Sequence, residues 1–160
     1  MPNKCKSLSP ISLYIHIPFC KKKCNFCDFN AYEGIEEMID DYEQAIIKEF
    51  QLWRPTLENK EVVSIFIGGG TPSRIPAVKL KNLIKIIEES TNLNKNAEIT
   101  AEINPDDIPD WDIIDLQNSG INRLSIGIQS FIDDELDLLD RQYTGEFAVK
   151  QIKYLQNHGF

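Results

Sequence analysis

Short runs of β-branched and other apolar residues alternate along the chain with stretches whose apolar positions recur every three or four residues. The first pattern predicts strands over Ile11–Ile17, Val62–Ile67, Glu98–Asn104 and Arg123–Gln129. The second predicts helices over Glu36–Trp53, Pro76–Ser90 and Pro109–Asn118, with further helix near Asp133–Asp140 and Glu146–Asn157. Pro76 and Pro109 suit a first helical turn, where a missing N–H costs nothing, and Gly120 suits a helix C-terminus. In the first helix, Ile39, Tyr42, Ile46, Phe50 and Trp53 share helical spacing and read as packing against a sheet.

Four βα units in sequence imply an α/β fold with a parallel sheet and helices outside it. The polar positions sharpen that picture. Thr100, Glu102 and Asn104 share one strand face, opposite Ile99, Ala101 and Ile103. Arg123, Ser125, Gly127 and Gln129 oppose Leu124, Ile126 and Ile128, and Tyr14 and His16 oppose Leu13, Ile15 and Ile17. Parallel strands buried on both faces read as continuous apolar runs. Polar groups on one face instead imply a lumen, satisfied by ligand, water or internal hydrogen bonds. The expected fold is the first half of a partial (β/α) barrel, with its site at the C-terminal strand ends. His158-Gly159-Phe160 reads as the lead into a fifth strand, so a truncated barrel is expected, with residues 1–10 disordered and 11–160 forming one domain.

Composition changes this only at the margins. The 160 residues are 42% apolar, ordinary for a globular domain. No run approaches the roughly 20 apolar residues of a membrane span, and MPNKCKSLSP contains no apolar signal region. A cytoplasmic location is therefore the expectation. A net charge of −8 argues against nucleic acid as a partner, because such binding rests on a basic surface. The one basic run, Lys21–Lys23, reads most simply as a solvated loop; alternatively it steers an acidic electron donor such as flavodoxin or ferredoxin.

Three of the four cysteines fall within eight residues: Cys20, Cys24 and Cys27, spaced C-x3-C-x2-C directly after the first strand. Cys5 stands apart as a bystander. Thiolates hold iron–sulfur clusters, and four normally complete one. Three would leave an iron open to an outside ligand, such as the amine and carboxylate of an amino acid. The alternative is a structural zinc site with His16 as fourth ligand, although zinc sites favour two ligand pairs separated by a longer loop. One βα unit later, Gly68-Gly69-Gly70-Thr71-Pro72 follows the second strand. Glycine there permits backbone to approach a ligand, or simply makes a tight turn.

The run YIHIPFCKKKCNFCDF resembles the signature of the radical S-adenosylmethionine (SAM) superfamily. It is most similar to the branch containing oxygen-independent coproporphyrinogen III oxidases and HemW-like heme chaperones, and the likeness extends in order from Tyr14 to Phe160. The resemblance implies a 4Fe-4S cluster on Cys20, Cys24 and Cys27, with an electron passed to the SAM sulfonium to give a 5′-deoxyadenosyl radical. It places Tyr14 and Phe26 near SAM, the latter at the adenine. Gly69, Gly70 and Thr71 would meet the SAM amino group, and Glu102, Gln129 and Arg141 would make further SAM contacts. From the residues alone, Glu102 and Arg141 also read as an ion pair between neighbouring units, and Gln129 as a capping or lumen hydrogen bond.

Within that branch, oxidases typically have a further cysteine shortly after the third and a longer leading segment. Here Asp28-Phe29-Asn30 follows Cys27, which resembles the HemW-like group. That resemblance implies heme or porphyrin as cargo of the full-length protein. Coproporphyrinogen decarboxylation is the alternative, followed by related radical SAM methyltransferases and heme-degrading enzymes. Leu139-Asp140-Arg141-Gln142-Tyr143 departs from the Leu-Gly-Arg-x-His common among chaperone-type members.

Overall fold

The computed structural model describes residues 8–160, so Cys5 and most of the segment expected to be disordered lie outside it. Ser9 and Pro10 already belong to a strand, because they pair with Lys60 and Glu61. The elements run β1 (Ser9–Ile17), β2 (Phe19–Cys20), β3 (Tyr32–Glu33), α1 (Ile39–Trp53), β4 (Lys60–Gly69), α2 (Ala77–Ser90), β5 (Asn92–Ile103), α3 (Ile113–Gln117), β6 (Arg123–Ile126), α4 (Asp133–Leu138) and α5 (Gly145–Asn157). Strands β1, β4, β5 and β6 form one sheet in that order, and every neighbouring pair is parallel. Parallel neighbours require a crossover, here supplied by helix-containing connections, as the βα periodicity implied.

Apolar alternation decides which face carries the helices. Ile65 and Ile67 of β4 join Ile99, Ala101 and Ile103 of β5 and Leu80, Leu83, Ile84 and Ile87 of α2 in one buried cluster. Each such aliphatic side chain contributes about 1.5–3 kcal/mol of burial. The opposite row is polar, as expected, and part of it is satisfied internally. Arg123 Nη1 donates to Thr100 Oγ1 at 3.3 Å, and the Gly69 N–H donates to Glu102 Oε2 at 3.1 Å.

Several boundaries differ from the sequence pattern for local reasons. Strand β6 stops at Ile126: Gly127 N still donates to Ile103 O at 2.9 Å, but Gln129 has φ +65° and turns the chain away. The helix expected over Pro109–Asn118 is two pieces. Pro109 lies within a 3-10 segment, Pro105–Asp110. Helix α3 starts only at Ile113, where the Asp112 carboxylate accepts from the backbone of Ile114 and Asp115 at 2.8 and 3.0 Å. Pro76 is the N-cap of α2 with ψ 136°, not part of its first turn. On α1, Ile39, Tyr42, Ile46 and Phe50 pack partly buried against the core, whereas Trp53 is 61% exposed. Trp53, at the last turn of the helix, lines an open groove with Ile11 and Leu13 of the edge strand instead of packing into the core. Among the described residues, no helix is long and apolar enough to cross a membrane.

Candidate functional site

Strand β1 runs through Pro18 into β2, and Phe19 is buried edge-on against Tyr42 at 5.3 Å. That anchor turns Cys20 inward. The chain from Lys21 to Ala31 then makes a loop and returns as β3, which pairs with β2 through Phe19–Tyr32 and Cys20–Glu33. Within the loop, Cys27 N donates to Cys24 O at 2.9 Å, a tight turn that brings the second and third cysteines together. The lysines of the loop are exposed, as expected, and two of them also tie it to neighbouring groups. Lys22 Nζ lies 2.6 Å from Asp140 Oδ1, and Lys23 Nζ donates to Phe29 O at 3.1 Å.

The glycine run seals the other side. Gly70 N donates to Ile17 O and Thr71 N to Phe19 O, each at 2.7 Å, so the end of β4 is zipped to the chain entering Cys20. A Cβ on Gly70 would lie 2.7 Å from Phe19 O. At Gly69, with φ +116°, a Cβ would meet the His16 ring at 2.6 Å. These glycines are therefore required by close backbone approach, beyond making a turn.

All the residues that the resemblance assigned to cluster or SAM, except Tyr14, line one pocket at the C-terminal ends of β4, β5 and β6. Cys20, Cys24, Cys27, Phe26, Gly69, Gly70, Thr71, Glu102, Gln129 and Arg141 meet there. Tyr14 is 60% exposed and stacks on Phe66 at 6.2 Å, outside that pocket. The three thiols are free, Cys20 buried and the other two half-buried. Burial pushes the Cys20 thiol above its ordinary value, partly offset by the Thr71 hydroxyl 3.6 Å away.

His16 is committed elsewhere. Its Nε2 donates to Asn30 O at 2.7 Å, and its Nδ1 accepts from the Tyr14 hydroxyl at 3.0 Å. Neither ring nitrogen is left for a metal, which removes the fourth ligand that the zinc alternative needs. Among the described residues, no three His, Cys, Asp or Glu side chains gather into a site for a single ion.

Arg141 is buried but does not pair with Glu102. Its Nη1 donates to Cys24 Sγ at 3.3 Å, its Nη2 to Asn104 Oδ1 at 2.7 Å and to Gly127 O, and its Nε to the Tyr143 hydroxyl at 3.2 Å. Burial opposes its charge, but the bonds to Tyr143 and Cys24 outweigh that and hold its pKa above the ordinary value. The Tyr143 hydroxyl donates to Ile128 O at 2.7 Å, with Gly127 O also within reach at 3.0 Å. The tyrosine that departs from the family pattern is thus a brace for Arg141.

Sequence reasoning assigned no role to Asn104 or Asp107. Asn104 Nδ2 donates to Thr71 Oγ1 at 3.3 Å and to Asp107 Oδ2 at 3.2 Å. Its place on the polar face with Glu102, at the C-terminal end of β5, was the available signal. Three thiols on one loop, with hydroxyl and guanidinium partners at two of the sulfurs, suit a thiolate-held cluster.

Comparison with known proteins gives a concordant picture. A family model described as the Radical SAM superfamily matches residues 14–160. The heme chaperone HemW of Buchnera aphidicola is 40% identical over 147 residues, covering 91% of this chain and 39% of that protein. HemW of Escherichia coli is 38% identical over 153 residues, covering 95% and 40%. An oxygen-independent coproporphyrinogen III oxidase of Salmonella typhimurium is 33% identical over 153 residues, covering 94% and 33%. Among solved structures, coproporphyrinogen III oxidase (HemN) from Escherichia coli, a radical SAM enzyme, superposes with a TM-score of 0.84 at 30% identity. That match covers 96% of this chain and 36% of the other. The chain spans about two fifths of the length of the HemW relatives.

Proposed function

The chain belongs to the radical SAM superfamily, and on that premise we propose that it serves in a HemW-like heme chaperone, with Cys20, Cys24 and Cys27 as ligands of a 4Fe-4S cluster that binds SAM. The single observation behind the site assignment is the convergence of three free thiols and the Gly69–Thr71 backbone on one pocket. When bound, the cluster would supply a low-potential electron to the SAM sulfonium. The chain's own residues supply position. Cys20 is held inside by Phe19, and the Gly69–Thr71 segment borders the pocket, its glycines letting the end of β4 pack directly on the chain that enters Cys20. Glu102 and Gln129 would offer a carboxylate and a carboxamide to SAM from the strand ends, and Phe26 an aromatic face for its adenine. Arg141 would offer a cation. Tyr14 would reach SAM only across the strand face it shares with His16.

The chaperone reading rests on the higher identity to HemW than to the oxidase and on Asp28-Phe29-Asn30 after the third cysteine. The oxidase remains the second reading because its solved structure shares this fold at 30% identity. An electron donor with an acidic face, such as flavodoxin or ferredoxin, would meet the exposed Lys21 beside the loop. The readings separate on the full-length protein. Stoichiometric heme uptake, without consumption of coproporphyrinogen in the presence of SAM and reductant, is expected. Coproporphyrinogen decarboxylation with no heme retained would support the oxidase instead.

A further inference from the structure

The hydrogen bonds of the pocket form a continuous path between two of its three thiols. It leads from Cys20 Sγ to Thr71 Oγ1 at 3.6 Å, and from there to Asn104 Nδ2 at 3.3 Å. It continues from Asn104 Oδ1 to Arg141 Nη2 at 2.7 Å, and ends where Arg141 Nη1 meets Cys24 Sγ at 3.3 Å. Four βα units are joined in this way, and one carboxamide stands at the centre. An amide suits this place because its NH2 donates to Thr71 while its carbonyl oxygen accepts from Arg141.

The placement of Asn104 is fixed from both sides. Gly127 N bonds the preceding carbonyl, Ile103 O, at 2.9 Å. The following Pro105 favours the extended backbone found at Asn104, φ −96° and ψ 153°. Its partners are also braced, Arg141 by Tyr143 and Thr71 by the Phe19 carbonyl. The carboxamide therefore sits between two prepared groups and fixes the orientation of each.

We propose that Asn104 is a positioning residue that holds the Thr71 hydroxyl on Cys20 and the Arg141 guanidinium on Cys24, and so raises the reduction potential of a cluster bound there. This rests on the reading of those cysteines as cluster ligands. Hydrogen bonds and positive charge at ligand sulfurs favour the more negative, reduced state, which is how a protein tunes such a centre. The effect belongs to one side chain outside the apolar core, so removing it leaves the packing of Ile103 in place.

The test is a redox titration followed by electron paramagnetic resonance on anaerobically loaded protein, comparing the parent with Asn104→Ala and Thr71→Val. Both variants are expected to titrate at more negative potentials than the parent, at unchanged iron and sulfide content. The double variant should shift by less than the sum, because both changes interrupt the same path. An unchanged or raised potential in a loaded Asn104→Ala protein overturns the inference and leaves the cluster assignment standing. Should Asn104→Ala fail to load, Thr71→Val decides by the same reading, with an unchanged potential again fatal. A parent that takes up no iron and sulfide defeats the cluster assignment itself, and this inference with it.

Discussion

Beneath Asn104 lies Asp107, buried, with Oδ2 accepting from the Asn104 amide and Oδ1 3.9 Å from Arg74 Nη1. Burial pushes its carboxyl above the usual 3.8, with Asp106 adding to the rise and Asn104 and Arg74 only partly opposing it. A folded-state value above the unfolded one means the native protein holds this proton more tightly. Its contribution to stability is then full below the unfolded value and is lost as pH rises through the folded one. Asp107→Asn, which mimics the protonated acid, should raise the melting midpoint at pH 7 by a few degrees, at roughly 2–4 °C per kcal/mol for a chain of this length. The gain should fade as pH falls toward 4; a lower midpoint at pH 7 would count against this account. At this scale the cysteines were legible because their spacing is chemically unusual. Asn104 and Tyr143 were not, because their roles depend on partners 33 and 37 or 15 and 16 residues away in the chain.

The elements place these residues through a few close approaches of backbone. One is between the end of β4 and the β1–β2 corner, where a Cβ on Gly70 would lie 2.7 Å from Phe19 O and 3.0 Å from Ile17 O. Both neighbours are main chain and cannot swing aside. Gly70→Ala should therefore cost about 1–3 kcal/mol, the usual range for overpacking, and part the loop from Cys20. Chemical denaturation would measure the loss, and an unchanged midpoint would show that the corner yields. The four strands of the main sheet and the long helices were readable from periodicity, since most of their apolar positions face the main core. The ends were not. Strand β6 stops early because Gln129 takes a left-handed backbone, and α3 starts late because Asp112 caps it after a proline-containing 3-10 segment. Those choices are made by one residue each, and a periodic pattern averages over them.

Across the whole molecule, the parallel four-stranded sheet, its apolar face under helices and its polar row at the strand ends form one arrangement around one pocket. The βα order and the polar strand faces made that architecture readable in advance. The sequence offered no such guide to the loop contact between Lys22 and Asp140, which joins the cysteine loop to the α4–α5 junction across 118 residues. The chain covers about two fifths of its HemW relatives, so cargo and partners belong to experiments on the full-length protein. The proposed cluster and SAM contact, by contrast, would rest on residues present here. Anaerobic reconstitution with iron and sulfide, followed by electron paramagnetic resonance of the reduced protein with and without SAM, tests them most directly. A four-iron signal that SAM perturbs, absent in Cys24→Ala and retained in Cys5→Ala, is the expected result. Tightly held stoichiometric zinc, or a cluster whose spectrum SAM leaves unchanged, would contradict the account.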